Sequence, residues 1–327
     1  MNSPPTGTPN LMGYRRVGAS GLRVSEIALG SWLTYGASVA DSTAQACIRE
    51  AIESGVIFLD TADVYNHGAA EELLGRMLAD YQRSDLVLAT KAFFPMSENP
   101  NDRGLSRKHL FESVHASLRR LRTDYIDLYQ CHRFDPDTPV SETVRAMDDL
   151  VTSGKILYWG VSLWSAAQIA EAVEIARHTG AAPPVSNQPP YNMLQRSIEE
   201  DVLPLCRREG VGQVVYCPLS QGLLTGKYAG GKLPEGSRAA DEKAGQFLRP
   251  RMTPANHEQV DRLAKLAAEA GLSLVQLALA WVLRDDCVAA AIIGATTPEQ
   301  VRENVAASGI RLDEDFLYRV EMVLSAS

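Results

Sequence analysis

The stretch YIDLYQCHRFDPDTPVSETVRAMDDLVTSGKILYWGVSLWSAAQIAEAVEIARHTG, residues 125–180, holds two copies of one pattern. Tyr125–Tyr129 is a short aromatic and apolar run, and Val140–Val151 after it repeats apolar residues at helical spacing. Tyr158–Val161 and Ser165–Arg177 then do the same. Strand followed by helix, repeated directly, implies parallel pairing with right-handed crossovers, because parallel strands need a long connection and a helix supplies it.

Outward from this stretch the pattern continues in both directions. Toward the N-terminus, Ile27–Gly30 precedes a helix from Ser42 to Ser54 with Ser42 as its N-cap, Val56–Leu59 precedes one from Ala69 to Leu78, and Leu86–Ala89 precedes one from Ser106 to Leu121. Toward the C-terminus, Pro184–Asn187 leads into Leu194–Arg208. Gln213–Tyr216 leads through a long loop into Asn256–Ala270, and Ala290–Ile293 into Pro298–Ala306. About eight such units with no break in composition favour a closed barrel over an open doubly wound sheet. The predicted fold is a single α/β domain over residues 13–327, a (β/α)8 TIM barrel. A hairpin at Gly13–Val24, turning at Ser20-Gly21, lies across the barrel bottom, and a covering helix runs from Asp313 to Leu324. Residues 1–12 read as a disordered tail.

The 327 residues carry 32 Lys+Arg against 40 Asp+Glu, a formal charge of −8, with no basic run of the kind that grips phosphate backbones. That argues against nucleic acid and anionic membranes as partners. Apolar runs such as Cys287–Ala295 fall short of the roughly 20 residues a membrane helix needs. No secretory signal pattern opens the chain. Cys47, Cys131, Cys206, Cys217 and Cys287 are scattered and never in a C-x-x-C arrangement, which reads as reduced thiols in a cytoplasmic protein.

In a parallel α/β barrel the chemistry sits at the C-terminal strand ends. The second strand ends in Asp60-Thr61-Ala62-Asp63-Val64-Tyr65, the third in Thr90-Lys91, the fourth in Gln130-Cys131-His132-Arg133. Asp60, Tyr65, Lys91 and His132 thus converge on one mouth and suit proton transfer without a metal. A tyrosine hydroxyl titrates near about 10, and a neighbouring lysine ammonium is expected to lower that value. Asp60 holds Lys91 charged, while His132 orients a carbonyl or shares its proton.

These residues resemble the tetrad of the aldo-keto reductases, in the branch that includes the potassium-channel β subunits. Asp60 and Tyr65 stand in LDTADVYNHGAAEELLG, Lys91 in LATK and His132 in YIDLYQCHRFD, and the resemblance covers nearly the whole chain. It implies an extended NADP(H) site without a Rossmann unit, in keeping with the lack of a G-x-G-x-x-G. By the same resemblance Ser31, Trp32 and Asp60 border the cofactor, Ser162, Asn187 and Gln188 bond its carboxamide, and Tyr216 stacks on the nicotinamide. Pro218, Leu219, Ser220, Gly222, Leu224 and Lys227 form the pyrophosphate loop, and Arg238 helps hold a 2′-phosphate. Gly294, Thr296, Gln300, Glu303 and Asn304 in IIGATTPEQVRENV take the adenosine. Lys227 and Arg238 favour NADPH over NADH. Trp32, Tyr65, Phe94 and His132 line a pocket for a small-molecule aldehyde or ketone.

Blander readings compete. Asp60 and Lys91 taken singly fit a buried ion pair closing a barrel layer, and Trp164 and Tyr191 fit apolar plugs. His67, His109, His115, His178 and His257 fit the surface, and Cys131 should point outward into the helix layer. A metal-dependent hydrolase would want ligands after the first strand, where Gly30-Ser31-Trp32 stands instead, so no metal is expected. Two functional readings remain: an NADPH-dependent carbonyl reductase with Tyr65 as general acid, and a cofactor-loaded redox-sensing subunit. Assembly into homo-oligomers stays open.

Overall fold

The computed structural model describes residues 12–32, 40–234, 237–241 and 245–325. Its strands are β1 (Tyr14–Arg16), β2 (Arg23–Ser25), β3 (Ile27–Gly30), β4 (Phe58–Asp60), β5 (Val87–Ala92), β6 (Ile126–Cys131), β7 (Ile156–Ser162), β8 (Ser186–Gln188), β9 (Gly212–Tyr216) and β10 (Val288–Ile293). The helices are α1 (Asp41–Glu53), α2 (Ala69–Met77), α3 (Arg107–Leu121), α4 (Val140–Thr152), α5 (Ala166–Thr179), α6 (Val202–Glu209), α7 (Pro254–Glu269), α8 (Leu274–Val282), α9 (Pro298–Val305) and α10 (Glu314–Ser325). Strands β3 to β10 pair in parallel in chain order and close on themselves, Ile292 of β10 lying beside Ala28 of β3. The eight-stranded barrel read from the strand and helix alternation is the fold.

Successive strand residues face opposite sides of the barrel wall. Ala28, Phe58, Val87, Leu128, Val214 and Ala290 form one cluster with Val17 and Val24 of the antiparallel β1–β2 hairpin, which closes the end where the strands begin. Their neighbours Leu29, Leu59, Leu88, Tyr129, Val215 and Ala291 belong to the larger core beneath the helices. Burying each such large side chain stabilises the fold by roughly 1.5–3 kcal/mol. Cys131 joins this outer core, as the alternation predicts, and burial pushes its thiol pKa up.

Capping fixes most helix starts. Ser106 accepts from the His109 amide to begin α3, Ser165 and Gln168 form a reciprocal box at α5, and Ser273 and Gln276 form another at α8. Four expectations need correction. Helix α1 begins at Asp41 after Ala40 and has no side-chain cap, so Ser42 is not its N-cap. The helix expected over Leu194–Arg208 is a single turn at Ser197–Glu199 followed by α6, because the Asn192 side chain takes the Leu194 amide and Asn192 pairs with Gln195 in a tight turn. Met12, placed in the tail, is buried in the core, while residues 1–11 lie outside the described residues. His109 is buried under α3 with its Nδ1 3.5 Å from Asp102, not on the surface. Helix α8 is unanticipated; every residue from Leu274 to Val282 except Gln276 is buried, so no polar face marks its period.

The C-terminal helix α10 packs along α7, with Gln259 bonded to the Leu324 carbonyl at 3.1 Å and Glu321 paired with Arg196. Among the described residues, no single helix is long and apolar enough to cross a membrane, and no group of three or more His, Cys, Asp or Glu is disposed to hold a metal ion.

Candidate active site

The inward positions that build the apolar plug continue upward into a polar layer. Two residues beyond Phe58, Ala89 and Leu128 stand Asp60, Lys91 and Gln130, and Gln188 joins them from β8. Lys91 is fully buried, and its Nζ donates to Asp60 Oδ1 at 2.6 Å and to the Thr61 carbonyl at 2.7 Å. The other Asp60 oxygen accepts from Gln188 Nε2 at 2.9 Å and from Gln130 Nε2 at 3.3 Å. This satisfied network holds the ammonium where its third donor reaches Tyr65 Oη at 3.4 Å.

The loop after β4 aims Tyr65 at that ammonium. Asp63 accepts the Val64 amide at 2.6 Å on one oxygen and the Ser113 hydroxyl at 2.9 Å on the other, while its own amide donates to the Lys91 carbonyl. Asn66 and His67 then adopt left-handed φ of 50°, and Gly68 follows at 90°. A Cβ at Gly68 would stand 2.7 Å from Arg120 Cδ in a conformation side chains rarely adopt, so glycine is required there.

His132 meets the Tyr65 ring edge-on with centroids 5.8 Å apart, and Phe94 packs edge-on against His132 at 5.0 Å. The His132 Nδ1 is buried and has no hydrogen-bond partner among the described residues. Trp32 lies 5.2 Å from Phe247, which arrives from the long β9–α7 connection. The mouth is thus aromatic around a polar floor.

Burial, followed by the Lys91 and Arg133 charges, lowers the His132 pKa well below the usual imidazole value, so the ring is neutral. Burial lowers the Lys91 pKa and the Asp60 carboxylate opposes that shift. The Tyr65 phenol moves opposite to the sequence expectation. Burial first, and the Asp60 charge second, raise its pKa well above 10, so Tyr65 keeps its proton. A retained proton suits a group that donates one.

Other predicted residues fall in two sets. Ser31 Oγ donates to Thr61 Oγ1 at 2.8 Å, beside the tetrad, and Ser162 Oγ donates to the Gln188 carbonyl at 2.8 Å. Tyr216 ends β9 half-buried, and Cys217, Ser220, Gln221, Gly222 and Gly226 after it all have positive φ, in a loop of tight turns where the Ser220 amide donates to the Cys217 carbonyl and the Gly222 amide to the Leu219 carbonyl. Ser220 Oγ is buried without a partner among the described residues, and Lys227 and Arg238 stand near this loop, Arg238 bonding Gln221. Gln300 Oε1 accepts from the Thr296 amide, Asn304 is buried, and Gly294 and Glu303 are exposed. Asn187 stands apart. Adjacent strand residues face opposite sides, and Asn187 Nδ2 donates to Gln213 at 3.1 Å while Gln188 reaches Asp60, so Asn187 does not share the Gln188 face.

Buried Trp164 packs against Phe134, and buried Tyr191 bonds Glu199 and Arg284. Neither joins the tetrad. Sequence reasoning missed Gln130, although its position two residues before His132 on the same strand face was a readable signal. Phe247 carried no such signal, since only the folded loop brings it to Trp32.

Residues 26–325 match the sequence model of the Aldo/keto reductase family. Three similar proteins cover almost the same length. A probable voltage-gated potassium channel subunit beta of Oryza sativa subsp. japonica is 40% identical over 320 residues, 96% of this chain and 97% of that one. A probable voltage-gated potassium channel subunit beta of Arabidopsis thaliana is 39% identical over 320 residues, with the same coverage. A putative voltage-gated potassium channel subunit beta of Schizosaccharomyces pombe is 40% identical over 327 residues, 97% of this chain and 94% of that one.

Proposed function

The chain belongs to the aldo/keto reductase family, and from that premise we propose that it is a cytoplasmic NADPH-dependent reductase of aldehyde and ketone carbonyls, built as one domain over residues 13–327. The observation that carries the proposal is the Lys91 ammonium, held by Asp60 and directed at the Tyr65 hydroxyl 3.4 Å away.

The residues fit an NADP(H) cofactor. The Ser220 hydroxyl, buried without a partner among the described residues, and the cations Lys227 and Arg238 beside the tightly turned loop after β9 suit a polyanion, and the half-buried Tyr216 ring suits a flat heterocycle. Ser162 and Gln188 would hold the carboxamide end, and Gln300 and Asn304 the adenosine end. When bound, the cofactor supplies a hydride to the carbonyl carbon.

The chain's own residues do the rest. The neutral His132 ring and the Tyr65 hydroxyl hydrogen-bond the carbonyl oxygen and fix its position. As negative charge grows on that oxygen, Tyr65 gives up its proton to it. The Lys91 ammonium stabilises the phenolate left behind, and Asp60 keeps Lys91 in place. Trp32 and Phe94 form apolar walls that limit water.

A second reading rests on the relatives, whose printed names describe potassium-channel subunits: a cofactor-loaded barrel that reports redox state to a partner. Titrating NADPH and NADH while following tryptophan fluorescence, then adding a reactive aromatic aldehyde, separates the two. Tight NADPH binding followed by NADPH consumption supports the reductase. Binding without consumption supports the sensing subunit, and no binding of either nucleotide defeats both.

A further inference from the structure

Arg133 follows His132 directly, at the end of β6, and is only partly exposed. Its guanidinium lies over the Phe94 ring, 5.2 Å from the centroid, and Nη1 donates to the His132 carbonyl. Phe94 is the ring that packs on His132, and His132 the ring that meets Tyr65, so the cation belongs to the same aromatic cluster as the proton donor. It acts on every group there, and its charge bears on Tyr65, Lys91, His132 and Tyr216 alike.

What Arg133 lacks among the described residues is a counter-charge. Lys91 has Asp60, Arg83 has Asp127 and Arg120 has Glu71, yet among the described residues Arg133 pairs with no carboxylate. The stretch 33–39 after Trp32 contains no acidic residue, and Glu235 and Glu242 lie outside the described residues. The chain has a net charge of −8, yet among the described residues no carboxylate answers this cation beside the proton donor. A guanidinium with donors to spare, lying over the apolar Phe94 ring, matches a carboxylate in geometry as well as charge.

We propose that Arg133 is a specificity residue that binds an anionic group on the substrate, making carbonyl compounds that also carry a carboxylate the preferred substrate class. The inference rests on the reductase reading above. The carboxylate seats against the guanidinium over Phe94, and the carbonyl end reaches Tyr65 and His132. A neutral substrate of the same shape leaves the guanidinium without a partner in a site that binding dehydrates.

The test compares 4-carboxybenzaldehyde with 4-methylbenzaldehyde, and succinic semialdehyde with butanal. Equilibrium binding to the NADP+-loaded protein is read first by tryptophan quenching, since no turnover occurs with the oxidised cofactor. The wild type should bind the carboxylate partner of each pair about 10- to 100-fold more tightly. Arg133→Gln should bring that ratio close to one, and Arg133→Lys should retain part of it, because lysine keeps the charge without the planar fork. With NADPH in place, the same ratio should appear in KM more than in kcat. A wild type without preference, or a preference that survives in Arg133→Gln, overturns the proposal. Selective binding of the carboxylates with no turnover of any aldehyde keeps the anion site and removes the reductase reading.

Discussion

Lys91 and Asp60 form an ion pair of 2.6 Å in the polar layer that caps the barrel's apolar interior, with the lysine fully buried and the aspartate nearly so. Neither charge has water to fall back on. Each depends on the other and on the Thr61 carbonyl, Gln130 and Gln188 that surround them.

Asp60→Asn removes the counter-charge and leaves the ammonium buried, a change that typically costs about 3–5 kcal/mol. The remaining burial lowers the Lys91 pKa further, because the Asp60 contribution that opposed it is gone. Urea denaturation at neutral pH should show a midpoint well below that of the wild type. An unchanged midpoint would mean that the pair adds nothing to stability.

Tyr65→Phe removes the proton donor and little else, since Tyr65 Oη accepts only a long 3.4 Å bond from Lys91. Carbonyl reduction should fall by at least about 100-fold, the lower range for a lost general acid, with NADPH binding retained. Because the phenol pKa lies well above 10, the wild-type reduction rate should not fall through tyrosine ionisation anywhere below that pH. Steady-state rates across pH check both points, and full activity in Tyr65→Phe would end the assignment.

Legibility followed period and contact order. Strand and helix alternation exposed the barrel, since buried parallel strands read as apolar runs and amphipathic helices show their faces. The tetrad was legible because Asp60, Lys91 and His132 end strands whose earlier inward residues are apolar. Helix α8 was not, because a helix buried on all sides has no polar face to read. Asn187 and Gln188 show a subtler limit: both are polar and buried, and only the pleat decides that Gln188 faces Asp60 while Asn187 faces Gln213. The Tyr65 pKa went the other way from the sequence argument because a lysine neighbour is visible in sequence and desolvation is not.

Asp63 predicts a pH-dependent stability. Burial, then the nearby Glu71 charge, raises its pKa from 3.8 to about 7. The folded state therefore binds the proton more tightly than the unfolded chain. The stability it contributes is fully present below about pH 4 and is lost as pH rises through 7, by up to about 1.4 kcal/mol per unit. Asp63→Asn keeps an acceptor for the Val64 amide and can donate to Ser113 Oγ. Urea midpoints from pH 5 to 8 should decline less steeply in Asp63→Asn than in the wild type. Parallel curves would show that Asp63 does not titrate in this window.

His132 should stay neutral. Its pKa is lowered well below 6.5 by burial first and by Lys91 and Arg133 next. Among the imidazole resonances followed by NMR from pH 8 to 5, the one lost in His132→Gln should not shift with pH. A His132 titration near its ordinary value would mean that water reaches the ring.

Trp32 and Phe247 join two segments far apart in sequence, their rings 5.2 Å apart and tilted by 58°. Phe247 is 43% exposed, so part of its ring is open to contact beside Trp32. An aromatic substrate would cover that face, gaining the area term and the ring contact, the latter worth about 0.5–1.5 kcal/mol. Phe247→Ala should therefore raise KM for an aromatic aldehyde by several-fold to about 10-fold. The effect on kcat should be small, because Phe247 is no member of the Asp60, Tyr65, Lys91 and His132 tetrad, and a small aliphatic aldehyde should feel the change less. Steady-state kinetics on the two aldehydes decides it. A loss confined to kcat would instead assign Phe247 to ordering the β9–α7 connection over the bound cofactor, since a wall residue changes how tightly the substrate is held and a loop anchor changes how often the site is assembled.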